Sequence, residues 1–247
     1  AVTPRVLLLA GHEPTGRAGL LADVAAVRAR GGQPVAVPTA QTAQGTTTFI
    51  WVASPPRLLA AQVAAARELG PVHAVKWGMV PGPAQLAAAR EALEGLDAWW
   101  VVDPVVRTSK GGRLTRLSPK AYLALAGPRV VLTPNLDEVA WLLGTPVPRS
   151  VEEASEAAAA LALEGFGAVL VKGGHLPDSQ GLADVLATPG RLRVLRGTWL
   201  AREESRRGTG CRLAAALATE LGRGRTLEAG ARAARALVVR YLRTGVG

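Results

Sequence analysis

Four consecutive residues, Gly208-Thr209-Gly210-Cys211, carry the densest chemistry in this 247-residue chain. They stand just before Arg212-Leu213-Ala214-Ala215-Ala216-Leu217, a strong helix former. A glycine-flanked turn that opens a helix leaves several N–H groups unpaired, and with the helix dipole these suit a phosphoryl group. Glycines let the backbone approach such a ligand where a Cβ would not. The same residues also read as an ordinary cap, with Thr209 capping and Cys211 as a small buried hydrophobe. Neighbouring Arg206, Arg207 and Arg212 favour the anion site, since they attract anions and are expected to depress the Cys211 pKa.

Two acids, Asp103 and Glu138, each follow an apolar run, and Asn135 shares a turn with Glu138. Hard oxygen ligands that leave room for water are what Mg²⁺ needs beside a polyphosphate. Asn135 with Glu138 three residues on is also a capping box, and the two roles are compatible. Lys172, followed by Gly173-Gly174, suits a point-charge contact to phosphate, or is simply exposed to solvent. The first loop, residues 11–19, is glycine-rich but matches neither the Walker nor the dinucleotide fingerprint. His12, His73 and His175 lack metal-ligand spacing, and His73 reads as structural.

These residues must be positioned by regular elements. Strands are expected over residues 5–10, 34–40, 47–53, 72–77, 98–103, 129–133, 168–172, 182–186 and 192–197, the last two as an edge pair. Helices are expected over 16–30, 55–69, 83–93, 119–126, 138–143, 151–164, 210–221 and 227–242. Apolar strands alternating with helices imply a three-layer α/β/α domain with a mostly parallel central sheet. No linker or repeat divides the chain, so one domain over 1–247 is expected. Ligands of such sheets bind beyond the carboxyl ends of the strands. The unusual residues gather there, among them the one Asn, the one Met and the one Cys (Asn135, Met79, Cys211).

Composition narrows the class. With 49% apolar and 19% charged residues the chain is neither disordered nor fibrous. Arg, Gly or Pro interrupts every apolar run before it could span a bilayer, and residues 1–10 hold too short a run for a secretory signal. One Cys excludes an internal disulfide framework. A soluble, cytoplasmic protein with no membrane partner is expected. The net charge is +10, of which +7 falls on residues 196–247. That quarter could neutralise a polyphosphate or a nucleic acid, but a solvated Arg-rich helical surface is the simpler reading.

In their order along the chain these motifs resemble the hydroxymethylpyrimidine/phosphomethylpyrimidine kinases of thiamin biosynthesis, within the ribokinase-like superfamily. The resemblance runs from about Val6 to Leu221. It rests on the loop from Ala10 to Gly19 with Ala22-Asp23, on Thr39-Ala40-Gln41-Thr42-Ala43-Gln44, and on Lys76-Trp77-Gly78-Met79. Asp103-Pro104-Val105-Val106, Thr133-Pro134-Asn135-Leu136-Asp137-Glu138, Val171-Lys172-Gly173-Gly174-His175 and the Gly208-to-Cys211 turn complete it.

The resemblance implies a ribokinase-like fold and an ATP- and Mg²⁺-dependent transferase acting on a hydroxymethyl aminopyrimidine or its monophosphate. Pyridoxine or pyridoxal as acceptor, or a catalytically impaired pyrimidine-binding homologue, are the alternatives. It implies Gln44 on the ring nitrogen and amino group, with Gly11, Met79 and Val105 forming the pocket and Asp23 on the same side. Cys211 would face the acceptor hydroxyl, and the amides of Gly208, Thr209 and Gly210 with Cys211 would hold the transferring phosphoryl group. Asp103 and Glu138 would hold Mg²⁺, with Asn135 nearby, and Lys172 would meet the ATP phosphates. Relatives are often dimers, so a homodimer is left open. The chain departs from the family at Glu13 (Asp in the family), Arg17 (Gly), Gly45 (Asn), Arg207 (His) and Arg212 (a small hydroxyl residue), and the lysine at Lys110 is displaced. Three of these changes, Arg17, Arg207 and Arg212, add positive charge at the acceptor and phosphoryl sites.

Overall fold

Val6, Leu7, Leu8 and Leu9 are all fully buried, as befits a strand covered on both faces. A computed structural model describes residues 2–108, 111–174, 176, 182–197 and 207–245. The elements in chain order are β1 (Arg5–His12), α1 (Gly19–Ala29), β2 (Gln33–Gln44), β3 (Phe49–Ala53), α2 (Pro56–Glu68), β4 (Ala74–Trp77), α3 (Pro83–Ala92) and β5 (Trp99–Val102). They continue with α4 (Pro119–Leu123), β6 (Val130–Leu132), α5 (Leu136–Leu143), α6 (Val151–Ala162), β7 (Ala168–Val171), β8 (Leu182–Thr188), β9 (Arg191–Gly197), α7 (Thr209–Gly222) and α8 (Leu227–Thr244).

The strands form one sheet in the order β3-β2-β1-β4-β5-β6-β7-β8-β9. From β2 to β7 every pairing is parallel, while β3 at one end and β8 and β9 at the other run antiparallel. Alternation along β1 separates the two cores. Leu7 and Leu9 join a cluster with residues of α2 to α6, whereas Val6, Leu8 and Ala10 pack with residues of α1, α7 and α8. The expected three layers are therefore present.

The boundaries differ where hydrogen bonding outweighs pattern. The second strand was expected to end at residue 40, yet β2 runs on to Gln44 because β3 folds back on it, Gln44 facing Phe49. The first helix starts at Gly19 rather than residue 16, since a carboxylate organises the loop before it. His73 is structural as expected, its Nδ1 accepting from the Arg5 amide at 2.9 Å.

The chain order reverses at β1, which lies between β2 and β4. In a parallel sheet that reversal opens a crevice beyond the strand ends. The loops leaving β1, β4, β5, β6 and β7 contain the residues that the sequence marked.

Candidate active site

Asp103 follows β5 and is buried, so its charge calls for partners from the protein. Lys172, leaving β7, donates from Nζ to Asp103 Oδ1 at 2.7 Å and lies 4.0 Å from Glu138 Oε2. Burial alone would lower the Lys172 pKa, but Asp103 and Glu138 outweigh it and hold the ammonium above its ordinary value. Glu138 is pushed up to about 7 by burial, against the pull of Lys172. Its carboxylate accepts from the Asn135 amide at 2.8 Å while Asn135 Oδ1 accepts from the Glu138 amide at 2.9 Å. The capping box thus exists and aims the carboxylate.

The glycine turn meets this cluster. A Cβ on Gly210 would lie 3.0 Å from Lys172 Nζ and 3.9 Å from Asp103 Oδ2. Gly208 is the N-cap of α7, in the left-handed region at φ +79, and no side chain among the described residues caps the helix. Thr209 is therefore not the cap, and a helix start leaves its first amides without an intrahelical partner.

Cys211 is partly buried. Burial pushes its thiol up, and the pull of Lys76 does not restore it; the Gly19 amide donates to it. This corrects the expectation that the flanking arginines depress it. Arg207 and Arg212 are directed elsewhere, and Arg206, with Ser205, Lys110 and His175, lies outside the described residues.

Asp23 sits in a buried ion pair. It is wholly buried and its Oδ2 accepts from Lys76 Nζ at 2.7 Å, with Lys76 equally inaccessible. Burial pushes Asp23 up to about 6 despite Lys76. Burial works against the Lys76 ammonium, but Asp23, Cys211 and Asp103 more than compensate and hold it charged. The pair is electrostatically coupled to the Cys211 thiol. Nothing but a lysine inside the apolar strand Ala74-Val75-Lys76-Trp77 signalled it.

On the acceptor side, a Cβ on Gly11 would come within 2.7 Å of Met79 Sδ. Met79 packs with Ala40 and Leu114, and Trp51 and Val105 lie against them. Gln44 Nε2 donates to Thr42 Oγ1 at 3.2 Å and its Oε1 accepts from Arg207 Nη2 at 2.8 Å. No motif in the sequence announced that arginine contact, which joins residues 163 apart.

Glu13 is buried at 2% exposure and closes the first loop. Its carboxylate accepts from the Thr15 hydroxyl at 2.6 Å and from the amides of Thr15 and Arg17 at 2.9 and 3.2 Å. Burial would raise its pKa, but those bonds together lower it. The glutamate thus organises its loop where the family carries aspartate. A depressed carboxylate contributes stability above its unfolded pKa and loses it as pH falls through the folded one. Glu13→Gln is therefore expected to cost about 1–2 kcal/mol near pH 7. Against wild type that difference should shrink below pH 4, as urea unfolding at several pH values would read.

Arg212 is 5% exposed and ties three segments together. It donates from Nη1 to the carbonyls of Arg17 and Gly208 at 3.2 and 3.4 Å, and from Nη2 to that of Gly16 at 3.4 Å. Its guanidinium carbon stands 3.8 Å from the Tyr241 ring centroid, a cation–π contact with α8. The acceptor loop, the glycine turn and the last helix are locked by one side chain.

Two buried carboxylates flanking one ammonium are a donor set that fits Mg²⁺. The ion takes one or two carboxylates, water and substrate phosphates, and Lys172 already supplies positive charge between them. Among the described residues no group of three or more His, Cys, Asp or Glu gathers as a metal centre, so a closed all-protein cage is not the form of this site.

A crevice at the topological switch of a ribokinase-like α/β/α fold, with a glycine turn at a helix start beside paired carboxylates and a lysine, defines a small-molecule kinase. The phosphomethylpyrimidine kinase family matches residues 13–247, and the chain belongs to it. It is 35% identical over 256 residues to the hydroxymethylpyrimidine/phosphomethylpyrimidine kinase of Streptomyces coelicolor, covering 98% of this chain and 90% of that protein. The phosphomethylpyrimidine kinase structure from Clostridium difficile superposes with a TM-score of 0.79 at 25% identity, covering 97% of this chain and 99% of that one. The ADP complex of Bacillus subtilis pyridoxal kinase gives 0.83 at 25% identity, over 95% and 90%. Multifunctional thiamine biosynthesis relatives are longer, and the chain spans 31% of the one from Corynebacterium efficiens.

Proposed function

We propose that this chain is a single kinase domain that transfers the γ-phosphoryl group of ATP to 4-amino-5-hydroxymethyl-2-methylpyrimidine, to its monophosphate, or to both, in thiamin biosynthesis. The observation that carries the reading is the meeting of the glycine turn with the Asp103–Lys172–Glu138 cluster at Gly210. Gln44 reads the ring, with Gly11, Met79 and Val105 as walls. The amides of the 208–211 turn receive the transferring phosphoryl group, and Lys172 and Asn135 meet the ATP phosphates. Asp103 and Glu138 hold Mg²⁺, which when bound with ATP neutralises phosphate charge. Phosphoryl transfer depends mainly on such positioning and neutralisation, so little proton chemistry is asked of the protein. The enzyme works in the cytoplasm, and the homodimer common among relatives is the assembly that sedimentation would test.

Purified protein with ATP, Mg²⁺ and each pyrimidine should release ADP in a coupled assay, and do so faster than with pyridoxal. Tight pyrimidine binding without ADP release would instead identify a non-catalytic homologue. Cys211→Ala should lower kcat on the alcohol about 10²-fold, the lower end for a general base. Because burial pushes the thiol up, it is protonated near neutrality. Wild-type kcat on the alcohol should therefore keep rising as pH passes 8, and Cys211→Ala should flatten that limb. An unchanged profile in the variant removes Cys211 as the base.

A further inference from the structure

Three arginines distinguish the acceptor and phosphoryl sites of this chain, and they are employed differently. Arg17 is exposed on its loop. Arg212 is turned to three carbonyls and the Tyr241 ring, away from Gln44. Arg207 alone reaches the ring reader, Nη2 donating to Gln44 Oε1 at 2.8 Å.

Its placement is unusual. Arg207 directly precedes Gly208, so one residue runs from the glycine turn to the Gln44 amide. Its backbone is braced, the carbonyl accepting from the Tyr241 hydroxyl at 3.1 Å. Beside it lies a cleft of about 170 Å³, lined by Gln44, Thr46, Thr47, Thr48, Thr108 and Arg207 among others. The Phe49 ring and two glycines make part of the lining apolar, and Arg207, with no carboxylate partner among the described residues, is the group in it that would hold an anion.

We propose that Arg207 and this threonine-lined cleft are the subsite for the phosphate of a phosphorylated acceptor, so that the chain prefers the pyrimidine monophosphate to the free alcohol. This rests on the kinase reading above. An acceptor that already bears a phosphate is longer by one phosphoryl group. Its terminal oxygen must still reach the 208–211 turn, so the ring sits further out. The inserted phosphate then falls between Gln44 and Gly208, the interval that Arg207 spans.

The chemistry agrees. An alcohol must lose its proton as it attacks, and a thiol that burial pushes up offers little thiolate near neutrality to accept it. A monoester with a second pKa near 6 is largely a dianion at pH 7.5 and has no proton to lose. One of its oxygens attacks the γ-phosphorus, the bond to the β,γ-bridging oxygen breaks, and ADP leaves with that electron pair.

The test measures kcat/KM for the alcohol and the monophosphate with wild type, Arg207→Ala and Arg207→Lys, each checked by thermal unfolding. Equilibrium binding of both pyrimidines without ATP runs alongside. Wild type should favour the monophosphate at least about tenfold. Arg207→Ala should reduce that ratio by about 10- to 100-fold, chiefly through KM, with Arg207→Lys between, as befits loss of a charge-assisted contact. Binding should follow the same order. A wild-type ratio near one, or a ratio that Arg207→Ala leaves unmoved, overturns the proposal. So does inorganic phosphate competing as well as the monophosphate, which would mean a free-anion site. If neither acceptor releases ADP, the kinase reading fails, and the binding ratios still decide whether the cleft reads the phosphate.

Discussion

Gly208→Ala should lower kcat/KM by about 10²- to 10³-fold while the protein stays folded, because the substitution moves the turn that we propose receives the phosphoryl group. The backbone there is left-handed at φ +79, which costs any L side chain. Space is the larger obstacle. A Cβ would stand 2.1 Å from the Arg17 carbonyl oxygen and 3.1 Å from the Ala18 Cα, both backbone atoms that cannot swing aside. Either the turn or the acceptor loop must shift, and the amides of α7 move off the γ-phosphate. Gly210→Ala is the control. Its Cβ would meet Lys172 Nζ at 3.0 Å, the tip of a flexible side chain, so a loss nearer tenfold and visible in the KM for ATP is expected. Steady-state kinetics with a melting curve on each variant checks both. Full activity in Gly208→Ala would remove the turn from the mechanism.

Asp23→Ala should destabilise the protein by about 3–5 kcal/mol, because it strands a wholly buried ammonium. For a chain of this length that is on the order of a 10 °C fall in Tm. Lys76→Met should cost a similar amount by stranding the carboxylate. The double variant Asp23→Leu/Lys76→Met removes both desolvated charges and should recover most of the loss. It should recover activity on the alcohol less fully, since the ammonium that draws the Cys211 thiol toward ionisation is gone and the loss of Asp23, which acts oppositely and more weakly, offsets that only in part. Calorimetry and kinetics on the three proteins separate the effects. If the double variant is no more stable than the singles, the ion pair is not what its partners cost.

The site was legible to the extent that its parts are local. Gly208 to Cys211, Asn135 with Glu138, and Lys172 before two glycines each declare themselves within a few residues, and the Asn135–Glu138 capping box appears as written. The Lys76 partner of Asp23 was not legible, because the sequence context is the same whether the carboxylate faces a substrate or a buried lysine. The arginines misled: proximity in sequence to Cys211 suggested an effect on its pKa, whereas Arg212 turns to Tyr241 and Arg207 to Gln44.

The alternation of apolar strands with amphipathic helices determined the layers, and the local turns determined where an anion could sit. These follow from backbone propensity and periodicity, which act over a few residues. Which charges meet was decided only by the packed chain. Asp23 with Lys76, Arg207 with Gln44 and Arg212 with Tyr241 join elements far apart in sequence, and each partner choice follows from the crossing of α1, α7 and α8 over the sheet. A long charged side chain has several partners within reach of its stem. Burial leaves it only those that the surrounding packing also admits.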